Sequence, residues 1–169
     1  MNNFGLVVIG AHSGVWLSSL LDEHKDKNIL LVEPVPYNIN LLKENTTKYK
    51  NITIETSAVS EKNEIKKFYY VKHDAVKKLG KHWASGIGSF DKQHILNHKY
   101  KRFMVTDIDI EEIDVQYLTF SNLMEKYSVS SIDLLQIDVE GAEFQILNSI
   151  NFEKIEIKKI IFEFKHFDG

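Results

Sequence analysis

Hydrophobic positions fall in short blocks separated by polar turns, and the blocks alternate in period along the chain. Phe4 to Ile9 is a continuous apolar run closed by Gly10, which predicts a strand buried on both faces. Val15 to His24 shifts to helical spacing, with Trp16, Leu17, Leu20 and Leu21 predicted on one inward face. Asn28 to Val32 repeats the buried-strand pattern, and Pro34 and Pro36, the only prolines, punctuate its end. Pro36 suits a first helical turn, where its missing N–H leaves no bond unmade. The helix it opens would turn Ile39, Leu42 and Tyr49 inward.

Asn51 to Val59 and Ile65 to Val71 read as two more strands. From His73 to His98 no period is visible, and Ala84-Ser85-Gly86-Ile87-Gly88-Ser89 is rich in small residues, so a long functional or mobile loop is predicted there. Phe103 to Ile110 alternates as a strand. Tyr117 to Tyr127 reads as a helix with Phe120, Leu123, Met124 and Tyr127 on one side. Ile132 to Ile137 is a buried strand, Ala142 to Ile150 a helix, and Ile160 to Phe164 a last strand. Near-continuous apolar strands alternating with helices predict a doubly wound, Rossmann-like α/β fold, its mostly parallel sheet covered on both faces. One domain over residues 1–169 is expected, with a basic insert at about 73–98.

Composition narrows the function classes. The 169 residues are 43% apolar, enough for a core. With no cysteine, disulfides, thiolate nucleophiles and cysteine-ligated zinc are excluded. No apolar run approaches the roughly 20 residues of a membrane helix, and Met1-Asn2-Asn3 carries no basic leader. A cytoplasmic protein without membrane contact is the expectation. Net charge is only −3, but it is segregated: residues 62–102 hold eleven Lys and Arg against three acids, and residues 107–163 hold thirteen acids against four lysines. The two segments can attract each other, or the basic one can meet an anionic ligand. No basic motif is interleaved with aromatics as in a nucleic-acid reader, which makes nucleic acid an unfavoured partner.

Two places carry candidate chemistry. Gly10 and Gly14 frame a G-x-x-x-G turn between a strand and a helix, and Glu33 ends the next strand. Glycines allow close backbone approach to a nucleoside, and a carboxylate at that distance suits both ribose hydroxyls. His12 replaces the middle glycine of the dinucleotide fingerprint, which disfavours a nicotinamide-dependent oxidoreductase. The second place is Ile132-Asp133-Leu134-Leu135-Gln136-Ile137-Asp138-Val139-Glu140-Gly141-Ala142-Glu143, where a buried strand delivers Asp138, Glu140 and Glu143 to its carboxyl end. Acids in a first helical turn also complement the helix dipole, which accounts for one of them more readily than for all three.

Asp-Val-Glu-Gly-Ala-Glu at 138–143, with Ile-Gly-Ala-x-x-Gly at 9–14, Val-Glu-Pro at 32–34 and Phe162-Glu163, resembles the FkbM family of S-adenosylmethionine-dependent methyltransferases in order and over nearly the whole chain. The resemblance implies a class I methyltransferase fold and S-adenosyl-L-methionine as cofactor. It implies that Gly10, Ala11, His12 and Gly14 lie under the methionine part, that Glu33 takes the ribose, and that Ser57, Ala58 and Val59 border the adenine. Asp138 would face methyl donor and acceptor, with Glu140 and Glu143 shaping the same floor and Glu163 beside it on the acceptor side. Ser85 to Ser89 would cover the acceptor. Asp138 or His166 is the candidate general base, and O-methylation of a sugar or other small-molecule hydroxyl is the implied reaction. Asp138, Glu163 and His166 would also suit a divalent cation, although no ligand spacing assigns a metal.

Val8, His12, Gln136 and Ser121 depart from the residues usual in the family. Gly169 leaves no room for the C-terminal antiparallel hairpin such enzymes add, so a fragment or minimal variant with an open sheet edge is expected. The alternative class is a non-catalytic nucleoside-binding or interaction module that has kept the fold. The sequence assigns no oligomeric state.

Overall fold

Asn2–Ile9 forms β1, the central strand, because its run of side chains from Phe4 onward has core on both sides. The computed structural model describes residues 2–80, 82–97, 105–139 and 141–163. After β1 come a 3-10 turn at Val15–Leu17, helix α1 (Ser18–His24), strand β2 (Asn28–Val32), helix α2 (Pro36–Asn45), and strands β3 (Ile52–Glu55), β4 (Ala58–Val59) and β5 (Glu64–Val71). Helix α3 (His73–Leu79), strand β6 (Gly88–Ser89), helix α4 (Lys92–Asn97) and strand β7 (Ile110–Leu118) follow. The chain continues through helix α5 (Phe120–Lys126), strand β8 (Val129–Ile137), helix α6 (Glu143–Ser149) and strand β9 (Glu156–Phe162).

The chain divides into two compact units, residues 1–64 with 116–169, and residues 65–115. The first holds a five-stranded sheet in the order β3-β2-β1-β8-β9, every neighbouring pair parallel. Leu6 and Val8 of β1 pack with Leu17, Leu21 and Leu42 from the α1 and α2 side. Val7 and Ile9 turn the other way, onto Phe120, Leu123 and Ile146 from α5 and α6. Side chains of period two between two helical layers explain why the strands read as unbroken apolar runs. The chain runs outward from β1 to β3 and returns on the far side of β1 as β8. The sheet is doubly wound and Rossmann-like, as the alternation of periods predicts.

In the second unit β7 lies beside β5, and β5 pairs antiparallel with β6 through Tyr69–Ser89 and Tyr70–Gly88. Its core gathers Val71, Val76, Ala84, Ile87, Ile95, Val105 and Ile110.

Several elements differ from the pattern. Trp16 is 81% exposed rather than inward, because Gly14 (φ +75°) starts a 3-10 turn there and α1 begins only at Ser18. The strand expected over 51–59 is divided: β3 ends at Glu55, and Ala58–Val59 pairs instead with Tyr117–Leu118. The loop expected at 73–98 contains α3, a 3-10 turn at His82–Ser85, β6 and α4, helices too short for their period to stand out. Tyr117 lies in β7, which runs to Leu118, rather than opening a helix; α5 starts after Thr119, whose hydroxyl accepts the Asn122 N–H. Residues 107–109 form a 3-10 turn, not a strand, and 103–104 lie outside the described residues.

Candidate functional site

In open α/β sheets ligands sit at the carboxyl ends of strands where the winding reverses. Here that point lies between β1 and β8, and the residues around it belong to the first unit. The Gly10 and Ala11 N–H groups both donate to the Val32 carbonyl, at 3.0 and 2.9 Å, which folds the glycine turn over the tip of β2. Gly10 has φ +88°, and a Cβ there would lie 1.8 Å from the Asp138 carbonyl oxygen. The Asp138 N–H in turn donates to the Ile9 carbonyl at 2.9 Å. Only a residue without a side chain lets the ends of β1 and β8 approach this closely.

Glu33 is buried directly beside this turn. Its Oε2 accepts the His12 N–H at 2.9 Å, and its Oε1 accepts the Val35 N–H at 2.9 Å and Asn38 Nδ2 at 3.4 Å. Burial pushes the carboxyl up to about 7, against the downward pull of those three donors. His12 holds φ +50°, unusual for a residue with a side chain, and its Nδ1 lies 3.2 Å from Ser13 Oγ. Ala11 and Ser13 are buried, and His12 is half-buried.

Asp138 is exposed at the end of β8. Glu143 is buried, and its two oxygens accept the Val139 and Gly141 N–H groups at 3.1 and 2.9 Å, which braces the loop that carries Asp138. Glu163 follows β9 and sits next to this edge, because Phe162 pairs with Ile137 and the Glu163 N–H reaches the Ile137 carbonyl at 3.4 Å. Glu140 and His166 lie outside the described residues. Asp138 and Glu163 therefore follow the ends of two neighbouring strands. Among the described residues no cluster of His, Asp and Glu is arranged to hold a metal ion.

One strand over from Glu33, the Glu33 N–H donates to the Glu55 carbonyl at 3.0 Å. Ser57 and Ala58 follow and are both buried. The Ser57 hydroxyl is enclosed and has no hydrogen-bond partner among the described residues. Glu55, which sequence reading passed over, accepts the Ser57 N–H at 3.0 Å, Lys126 Nζ at 2.6 Å and the Tyr127 hydroxyl at 2.7 Å. Burial raises its pKa, but the lysine, the tyrosine and the serine N–H outweigh that and hold it below the ordinary glutamate value. The available signal was an acid at the tip of β3, matching Glu33 at the tip of β2. Elsewhere, a groove of about 320 Å³ lined by Phe120, Met124, Val129 and Ile155 opens at the amino end of β8, away from the rim.

A doubly wound parallel sheet with a glycine turn at its switch point and a buried acid at the next strand's tip defines a Rossmann-like α/β protein. The chain matches the Methyltransferase FkbM domain over residues 9–169 and belongs to that family of methyltransferases. Neither the curated proteins nor the solved structures contain a match to it. At the rim the turn needs glycine at Gly10, because of the Asp138 backbone, and the Ser57 hydroxyl is buried with no partner among the described residues.

Proposed function

We propose that this methyltransferase uses S-adenosyl-L-methionine to methylate a hydroxyl of a small molecule or glycan. The observation that carries the reading is the contact of Gly10 with the Asp138 backbone, with Glu33 anchored to the same turn through His12. In this reading Gly10, Ala11, His12 and Gly14 support the methionine portion. Oε1 of Glu33 already has two donors, so Oε2, which among the described residues has the His12 N–H alone, takes a ribose hydroxyl. Ser57 and Ala58 border the adenine. When bound, the sulfonium supplies an electrophilic methyl group, so placing the acceptor oxygen in line accounts for much of the rate.

Asp138 removes the proton of the acceptor hydroxyl at its carboxylate, as an exposed acid on the rim is placed to do. Glu143 holds the Asp138 loop in place through the Val139 and Gly141 N–H groups, and so shapes the floor on which the acceptor rests. Glu163 lies on the acceptor side.

The test is transfer of labelled methyl from S-adenosylmethionine to a panel of sugars and small hydroxyl compounds. Labelled product that disappears in Asp138→Asn, with S-adenosylhomocysteine binding retained, supports the reading. Binding of the cofactor with no transfer to any hydroxyl, amine or thiol acceptor contradicts it.

A further inference from the structure

At the amino end of β8, away from the glycine turn, a groove of about 320 Å³ opens over Phe120, Met124, Val129 and Ile155. A cavity of roughly 150 Å³ already admits a benzene ring, so this one has room for an aromatic side chain. The turn that follows α6 forms one part of its wall through Asn151 and Lys154. Between those two residues stands Phe152, which is 58% exposed and does not line the groove of its own chain. The turn is held in shape, because Asn151 accepts the Glu153 N–H at its side-chain oxygen and the Lys154 N–H at its carbonyl, both at 3.0 Å. A ring presented on a braced turn thus sits next to a groove of a size to receive one.

The charges around the groove complement themselves. Glu125 comes from the end of α5 and Lys154 from the turn; both line the groove and both are exposed. Among the described residues neither forms an ion pair. A two-fold axis sets residue i of one subunit on residue j of the other, and j on i, so a face that carries ring, groove, acid and base matches a second copy of itself. We propose that this face is a homodimer interface in solution, in which Phe152 of each subunit enters the groove of the other and Glu125 meets Lys154 across the axis. An aromatic anchor in an apolar groove with a polar rim is the arrangement that carries most of the energy in stable interfaces. Closure about the axis uses both rings and both grooves, so association stops at two. The face lies away from the rim, and the inference stands independently of the adenosyl reading.

The experiment is analytical ultracentrifugation over a concentration series of wild type, Phe152→Ser, Glu125→Lys, Lys154→Glu and the double variant carrying both charge reversals. Wild type should sediment as a dimer in equilibrium with monomer. Phe152→Ser removes two buried rings from each dimer and should weaken association roughly 100-fold or more. Either single reversal sets two like-charged pairs across the axis and should weaken it roughly tenfold. The double variant exchanges the two signs and should return to wild-type affinity, and a mixture of the two single variants should associate more tightly than either alone. Wild type that stays monomeric at every concentration overturns the proposal. If that monomer takes up a fluorescent anilinonaphthalene sulfonate probe in the groove, the site belongs to a small ligand instead. A species larger than a dimer, a dimer unchanged in Phe152→Ser, or a double variant no tighter than the single reversals also overturns it.

Discussion

The carbonyl of Asp138 occupies the space that a Cβ on Gly10 would need, 1.8 Å from where that atom would stand. The strand that ends in the turn and the strand that ends in the candidate base are thus locked together by the absence of one side chain. Gly10→Ala has to push β1 and β8 apart at their tips and also place a side chain at φ +88°. Overpacking and the positive φ together should cost about 3 kcal/mol. Urea unfolding of the variant checks this; a loss below about 1 kcal/mol would mean the strand ends separate easily.

Glu33 predicts a pH dependence. Its folded carboxyl titrates at about 7 against an ordinary 4.5, so the folded state keeps a proton that the unfolded chain has already lost. Stability from this group is complete below about pH 4.5 and declines as pH rises to 7, by about 3 kcal/mol in total. In Glu33→Gln that decline should vanish. Denaturant midpoints from pH 4.5 to 8 measure it, and parallel profiles for the two proteins would refute the assignment.

Glu143 is predicted to act through the backbone. Glu143→Ala strips the Val139 and Gly141 N–H groups of their acceptors and should destabilise by about 2 kcal/mol. Glu143→Gln keeps one acceptor oxygen and should lose less. Thermal unfolding ranks the two variants; the opposite order would show that the brace is not what Glu143 provides.

Asp138→Asn preserves the side-chain shape and removes the proposed base. Methyl transfer should fall about 100-fold or more while the melting temperature stays near wild type. Steady-state rates against pH read it out, and an unchanged rate would move the base elsewhere.

Much of the first unit was legible because strands buried on both faces leave unbroken apolar runs. Asn28–Val32 reads to the residue, and the acid that closes it follows directly. Where an element has only one buried side, the reading slips. β7 buries Ile110, Val115 and Tyr117 at irregular intervals, so its end passes for the start of a helix that in the structure begins only after the Thr119 cap. Trp16 fails because helical spacing does not reveal a 3-10 turn, and a tryptophan counts as apolar whether or not anything covers it. At the site, Gly10, Glu33 and Asp138 announced themselves as residue types at strand ends. Glu55 did not, because its partners Lys126 and Tyr127 lie some seventy positions away and only folding brings them together.

Calorimetric titration of S-adenosylhomocysteine into wild type and Glu33→Ala tests the central claim most directly, that the rim between β1, β2 and β8 grips an adenosyl group. Loss of a hydrogen bond to a ribose hydroxyl corresponds to roughly 3- to 10-fold in affinity, and the variant should be weaker by about that factor. Equal affinity in the two proteins, both folded, would contradict the account.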